Sequence, residues 1–123
     1  MEKKDNPILK LTFEFSIQVV LYCETLEEKR KYIISKQLLK SGTSIGANVR
    51  EAVNGQSKAD FIHKLSISQK ECDESMYWLE ILIGINYISK TEFESMHKQC
   101  EEVLKIIKSI IITSKKKLIT QNS

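Results

Sequence analysis

The sequence predicts an all-α chain, folded as an antiparallel up-down-up-down four-helix bundle, and three observations carry that prediction. Apolar residues recur at spacings of three and four through four long segments, the signature of one buried face per helix. The segments are punctuated by helix-start signals, and only 1 proline and 4 glycines occur in 123 residues, too few breaks for a many-turned β fold. The connections between segments are short, which makes successive helices antiparallel neighbours.

The first helix is predicted from about Pro7 to about Glu28. Asn6-Pro7 supplies an N-cap residue followed by the residue best suited to the first helical position. Ile8, Leu11, Phe15, Val19 and Tyr22 form its stripe, and the charged run Glu27 to Lys31 closes it. Ser35 is read as the cap of a second helix over 36–54, with Leu38, Gly42, Ile45, Val49 and Ala52 on one face and Asn54-Gly55 as the stop. The third helix, 58–83, opens on Ser57-Lys58-Ala59-Asp60, a capping box with aspartate in the usual glutamate position. Its seam alternates strictly by four and three through Phe61, Leu65, Ser68, Cys72, Ser75, Leu79 and Leu82. The fourth, 90–117, follows the full box Ser89-Lys90-Thr91-Glu92 and carries Phe93, Met96, Cys100, Val103, Ile107 and Ile110. Lys115, Lys116 and Lys117 sit where cations suit the negative end of the helix dipole, and the last few residues are expected to fray.

Composition excludes several function classes. A 41% hydrophobic, 28% charged chain is ordinary for one globular domain and argues against disorder. Cys23, Cys72 and Cys100 are widely spaced and contain no C-x-x-C, so they read as reduced, buried thiols of a cytoplasmic protein. The start MEKKDNPILK lacks the apolar core of a secretory signal, and no apolar run is long enough to span a membrane. Net charge is only +3, but it is unevenly placed. Residues 35–57 hold Lys36, Lys40 and Arg50 against Glu51 alone, and residues 89–123 are rich in lysine. Aromatics make up 7% of the chain, little material for stacking nucleic-acid bases.

Chemistry has few footholds. Glu94-Ser95-Met96-His97 has the E-x-x-H spacing of a di-iron bundle, and Asp60-Phe61-Ile62-His63 is a near miss. Antiparallel packing puts the two histidines roughly 20 Å apart, which denies them a shared metal. No histidine is placed to activate a cysteine, and the chain has no phosphate-binding glycine loop. Glu71 and Glu74 share a helix face and read as a solvated or salt-bridged pair. The expectation is no catalytic residues, no metal, no cofactor and no small-molecule substrate.

The least generic pattern lies on the second helix. Gln37, Ser41, Ser44, Asn48 and Glu51 run beside its apolar face at spacings of 4, 3, 4 and 3, answered on the third helix by Lys64, Ser68, Glu71 and Ser75. Small polar residues next to Gly42 and Gly46 suit a close, hydrogen-bonded helix contact, either within one chain or between subunits. Two glycines inside a helix cost about 1 kcal/mol each against alanine, a loss that close packing would offset.

The run from Ser35 to Ile83 resembles the bacterial four-helix-bundle family of 23S rRNA intervening-sequence proteins. Gln37, Leu38, Ser44-Ile45, Asn48-Val49, Glu51, Ser57, Phe61, Lys70-Glu71, Glu74 and Trp78-Leu79 carry the resemblance. It covers the second and third helices closely and the others by length and pattern. The resemblance implies a non-enzymatic, cytoplasmic, self-associating bundle. Some members of that family are encoded within insertions in large-subunit ribosomal RNA genes. A related branch looks like a retroelement accessory protein that forms a pentameric ring and works with a reverse transcriptase and RNA. Two roles are therefore expected. One is a homo-oligomer joined through the second and third helices, with Gln37, Ser41, Ser44, Asn48, Glu51 and Glu71 as the contact stripe. The other is an RNA-binding accessory protein whose Lys36, Lys40, Arg50 and Lys115–Lys117 meet phosphates.

Overall fold

The structure, a computed structural model, describes residues 6–122, with side chains as far as residue 120. Four helices follow one another: α1 (Pro7–Glu28), α2 (Tyr32–Val53), α3 (Lys58–Gly84) and α4 (Lys90–Asn122). Cross-helix contacts fix their directions. From α1 to α2, Thr12 lies by Gly46, Val19 by Gly42 and Cys23 by Ser35, so one number rises as the other falls. From α2 to α3 the pairs are Ser41 with Ser75, Ile45 with Ser68 and Glu51 with Lys64, and from α3 to α4 Cys72 with Cys100 and Glu80 with His97. Each neighbour is antiparallel to the last, and α4 packs back against α1 to close the bundle.

Local chemistry sets most of the ends. Asn6 Oδ1 accepts from the Ile8 amide at 3.2 Å with Pro7 next in line, Ser57 Oγ accepts from Asp60 at 3.0 Å, and Ser89 Oγ from Glu92 at 3.1 Å. α1 and α3 both terminate in a Schellman motif. Arg30 and Asn86 take the left-handed conformation (φ 61° each), and the amides of Lys31 and Tyr87 reach back to the carbonyls of Leu26 and Leu82 at 2.8 and 2.9 Å.

Two boundaries differ from the sequence expectation by more than one residue. α2 begins at Tyr32, with Lys31 in the cap position and no side-chain cap, rather than after Ser35. The tight α1 exit leaves three residues between the helices, so Ser35 falls a turn inside α2 and is fully buried. Its hydroxyl donates to the Cys23 carbonyl at 3.2 Å while the Cys23 thiol donates to the Ser35 carbonyl at 3.4 Å. A residue predicted to cap one helix instead ties two together. α4 continues to Asn122, five residues beyond the predicted 117. At 33 residues it is longer than α3 by six, so its lysine-bearing end projects past the bundle.

The core runs the length of the bundle through Phe15, Leu26, Leu38, Ile45, Leu65, Leu79 and Ile107, all fully buried. Small polar groups are spaced between these side chains. Ser75 Oγ donates to Ser41 Oγ at 2.9 Å, Ser68 Oγ to the Ile45 carbonyl at 2.9 Å, and Cys100 Sγ to the Cys72 carbonyl at 3.4 Å. Each of these three donors has its acceptor, so the groups fix helix register without leaving their own dipoles unpaired. The Cys72 thiol is pushed well up by its contact with Cys100 and by burial, and the Cys23 thiol by burial, which leaves both protonated and unreactive. Tyr22, whose hydroxyl donates to the Tyr87 carbonyl at 2.9 Å, is pushed up to about 12 by burial, with Glu92 adding to the shift.

Candidate functional site

The six residues of the predicted contact stripe do not share one environment. Ser41 is buried inside the chain, where it accepts from Ser75 and donates to the Leu38 carbonyl at 3.3 Å. Ser44 and Asn48 are half-buried, and each bonds one turn back along α2, to Lys40 and Ser44. Glu51 is exposed and pairs with Lys64 of α3 at 3.1 Å, whereas Gln37 is exposed at the other end of α2. Glu71 is half-buried on the facing flank of α3. Burial and then Glu74 raise its carboxyl, against the pull of Lys40 and Lys70. The stripe is therefore an α2–α3 seam within one chain at its inner edge and a polar flank at its outer edge.

The glycines face a different neighbour. A Cβ on Gly42 would stand 2.7 Å from Val19 Cγ2, and one on Gly46 would stand 3.3 Å from the Thr12 carbonyl oxygen, so both admit α1 rather than α3. Over Gly46 the surface opens into a groove of about 780 Å³, walled by Leu9, Thr12 and Phe13 of α1 and by Thr43, Ala47 and Arg50 of α2.

The predicted cations are spread out. Lys36, Lys40 and Arg50 are exposed on the outer face of α2, yet the first and last are fourteen residues apart, about 21 Å of helix. Lys115, Lys116 and Lys117 lie exposed on the projecting end of α4. None of these six forms an ion pair among the described residues.

His97 contacts Glu101 at 2.9 Å and Glu80 at 3.3 Å, with its ring against Phe93. His63, seventeen residues before Glu80 on α3, is about 25 Å away along that helix. Among the described residues no group of three or more His, Cys, Asp or Glu is placed to hold a metal ion.

Two apolar surfaces went unmarked in the sequence. On α1, Phe13, Ile17, Val20 and Leu21 are 53%, 45%, 38% and 57% exposed. The available signal was the number of large apolar residues in α1, which exceeds what a single core-facing stripe can hold. The second surface lies at the turn end. There Tyr32, Ile33, Ile85, Tyr87 and Trp78 surround a depression beside Arg30 and Lys31. Lys31 Nζ sits 4.7 Å above the Tyr87 ring, and the Trp78 indole N–H has no acceptor among the described residues.

The model of the 23S rRNA-intervening sequence protein family matches residues 4–109. The chain belongs to that family. Within the family's fold, it is similar to a solved protein of unknown function from the S23 ribosomal protein family of Bacteroides thetaiotaomicron VPI-5482. The two are 46% identical, with a TM-score of 0.81 over 85% of this chain and 97% of that one. Neither description names a catalytic activity. No curated protein matches the chain. None of this family member's helices is long and apolar enough, over the described residues, to cross a membrane.

Proposed function

We propose that this family member is a non-enzymatic, self-associating bundle that acts in the cytoplasm as an assembly module. The observation that carries the reading is the outer face of α1, where Phe13, Ile17, Val20 and Leu21 form a contiguous apolar stripe outside the core. Large apolar residues grouped on one helix face mark an association surface. The family resemblance suggests a pentameric ring as the assembly, and three buried free thiols suit a reducing compartment. Light scattering at micromolar concentration tests the reading. The wild type should run as an oligomer and Ile17→Glu as a monomer of unchanged helix content. A monomeric wild type overturns it.

A second reading, RNA binding, is favoured by the turn end, where tyrosine and tryptophan rings stand beside Arg30 and Lys31. Such rings stack bases while the cations meet phosphates. Affinity for a single-stranded RNA should then fall steeply with salt and fall again in Tyr32→Ala. Affinity indifferent to both changes removes this reading.

A further inference from the structure

The outer faces of α1 and α2 differ in size and in charge, and the differences are matched. Along α1, Glu14, Ile17, Leu21, Glu24 and Glu28 recur at spacings of 3, 4, 3 and 4, all exposed. Along α2, Lys36, Lys40, Thr43, Ala47 and Arg50 recur at 4, 3, 4 and 3, and the only acid of that helix, Glu51, is turned aside to Lys64. One row presents large apolar side chains between carboxylates. The other presents small side chains between cations, beside the groove over Gly46. None of these charges forms a close ion pair among the described residues, although Lys40 acts on the Glu71 carboxyl from a distance.

We infer that the partner of the α1 stripe is the outer face of α2 on a second copy of this chain. The inference rests on the self-association proposed above and names the surface that receives it. The contacts of Val19 with Gly42 and of Cys23 with Ser35 give the level of each row. Laid antiparallel at those levels, Ile17 of one copy rests on Thr43 of the other and Phe13 enters the groove by Ala47. Glu24 then meets Lys36, and Glu14 comes within reach of Arg50. A rotation that set α1 on α1 would instead bring carboxylates against carboxylates. Made reciprocally, the α1–α2 contact closes a pair, and made head to tail it builds a ring.

Two charge-reversed variants test the pairing. One carries Glu14→Lys and Glu24→Lys, the other Lys36→Glu and Arg50→Glu. All four sites are exposed, and helix content measured by circular dichroism serves as the folding control. Each variant alone should associate at least tenfold more weakly than the wild type by light scattering. Mixed in equal amounts they should associate with each other, pairwise at least, because the reversed α1 row of one meets the reversed α2 row of the other. If the wild type assembles while both variants assemble equally well, or while their mixture stays dissociated, the α1–α2 pairing is wrong and self-association stands on another surface. A wild type that does not assemble removes self-association itself.

Discussion

Phe15→Ala is expected to lower the folding free energy by about 3–5 kcal/mol, whereas Phe13→Ala, two residues earlier, should change it by less than about 0.5 kcal/mol. The two rings belong to one helix and differ only in direction. Phe15 has no exposed surface and sits among the largest core side chains, so its removal forfeits transfer free energy and leaves a cavity that close-packed neighbours fill only partly. Phe13 is 53% exposed and contributes little to the single chain. Urea unfolding at a concentration low enough to suppress association separates folding from assembly. The order should invert when assembly is measured, with Phe13→Ala weakening association in a protein that remains fully folded. Equal effects on unfolding would show that α1 does not divide into a core face and a contact face.

The second large effect concerns the approach of α1 to α2. Gly42→Ala should destabilise the bundle, although alanine is the better helix former by about 1 kcal/mol. The new methyl would lie 2.7 and 2.9 Å from the two γ-carbons of Val19, whose branched side chain is fully buried and has no room to turn. Overpacking of this kind costs about 1–3 kcal/mol, which exceeds or cancels the propensity gain. Val19→Ala alone removes two buried methyl groups and should cost about 2–3 kcal/mol. In the double variant the methyl added at position 42 occupies the space vacated at 19. Its loss should therefore be smaller than the sum of the single losses by at least about 1 kcal/mol. Additive losses in a denaturant double-mutant cycle would mean that the glycine serves something other than this contact.

These expectations also mark what could be read from the residues alone. The starts of α1, α3 and α4 were legible because their caps are local, each resting on Asn6, Ser57 or Ser89 and the next few amides. The start of α2 was not. It depends on a left-handed Arg30, and arginine gives no sign of that conformation, whereas glycine would have. Periodicity alone places the seam serines of α3, since Ser68 and Ser75 fall in the apolar register and are fully buried. Gly42 and Gly46 signal a close approach, but periodicity gives the direction of a face and not the helix lying opposite it. They admit α1, while the serine beside them, Ser41, meets α3. The α1 stripe is illegible for a related reason. Phe13 and Phe15 are equally apolar, and only the packing decides which one the core takes. The turn-end rings leave no sequence signal because Tyr32, Trp78 and Tyr87 are remote in sequence and meet only where α1 hands over to α2 and α3 to α4.

The seams themselves have a mechanical consequence. A purely oily interface lets one rod slide or roll on another at little penalty. Here the rods are keyed by Ser35 on Cys23, Ser75 on Ser41, Ser68 on Ile45 and Cys100 on Cys72, at several heights and across three of the four contacts. Most of these keys engage a main-chain oxygen, so they do not depend on which side chain stands opposite. Helices locked in this way act as rails whose outward teeth can be recut without moving the rails. The surface of this bundle can thus acquire a new partner, or lose an old one, while its interior stays in gear.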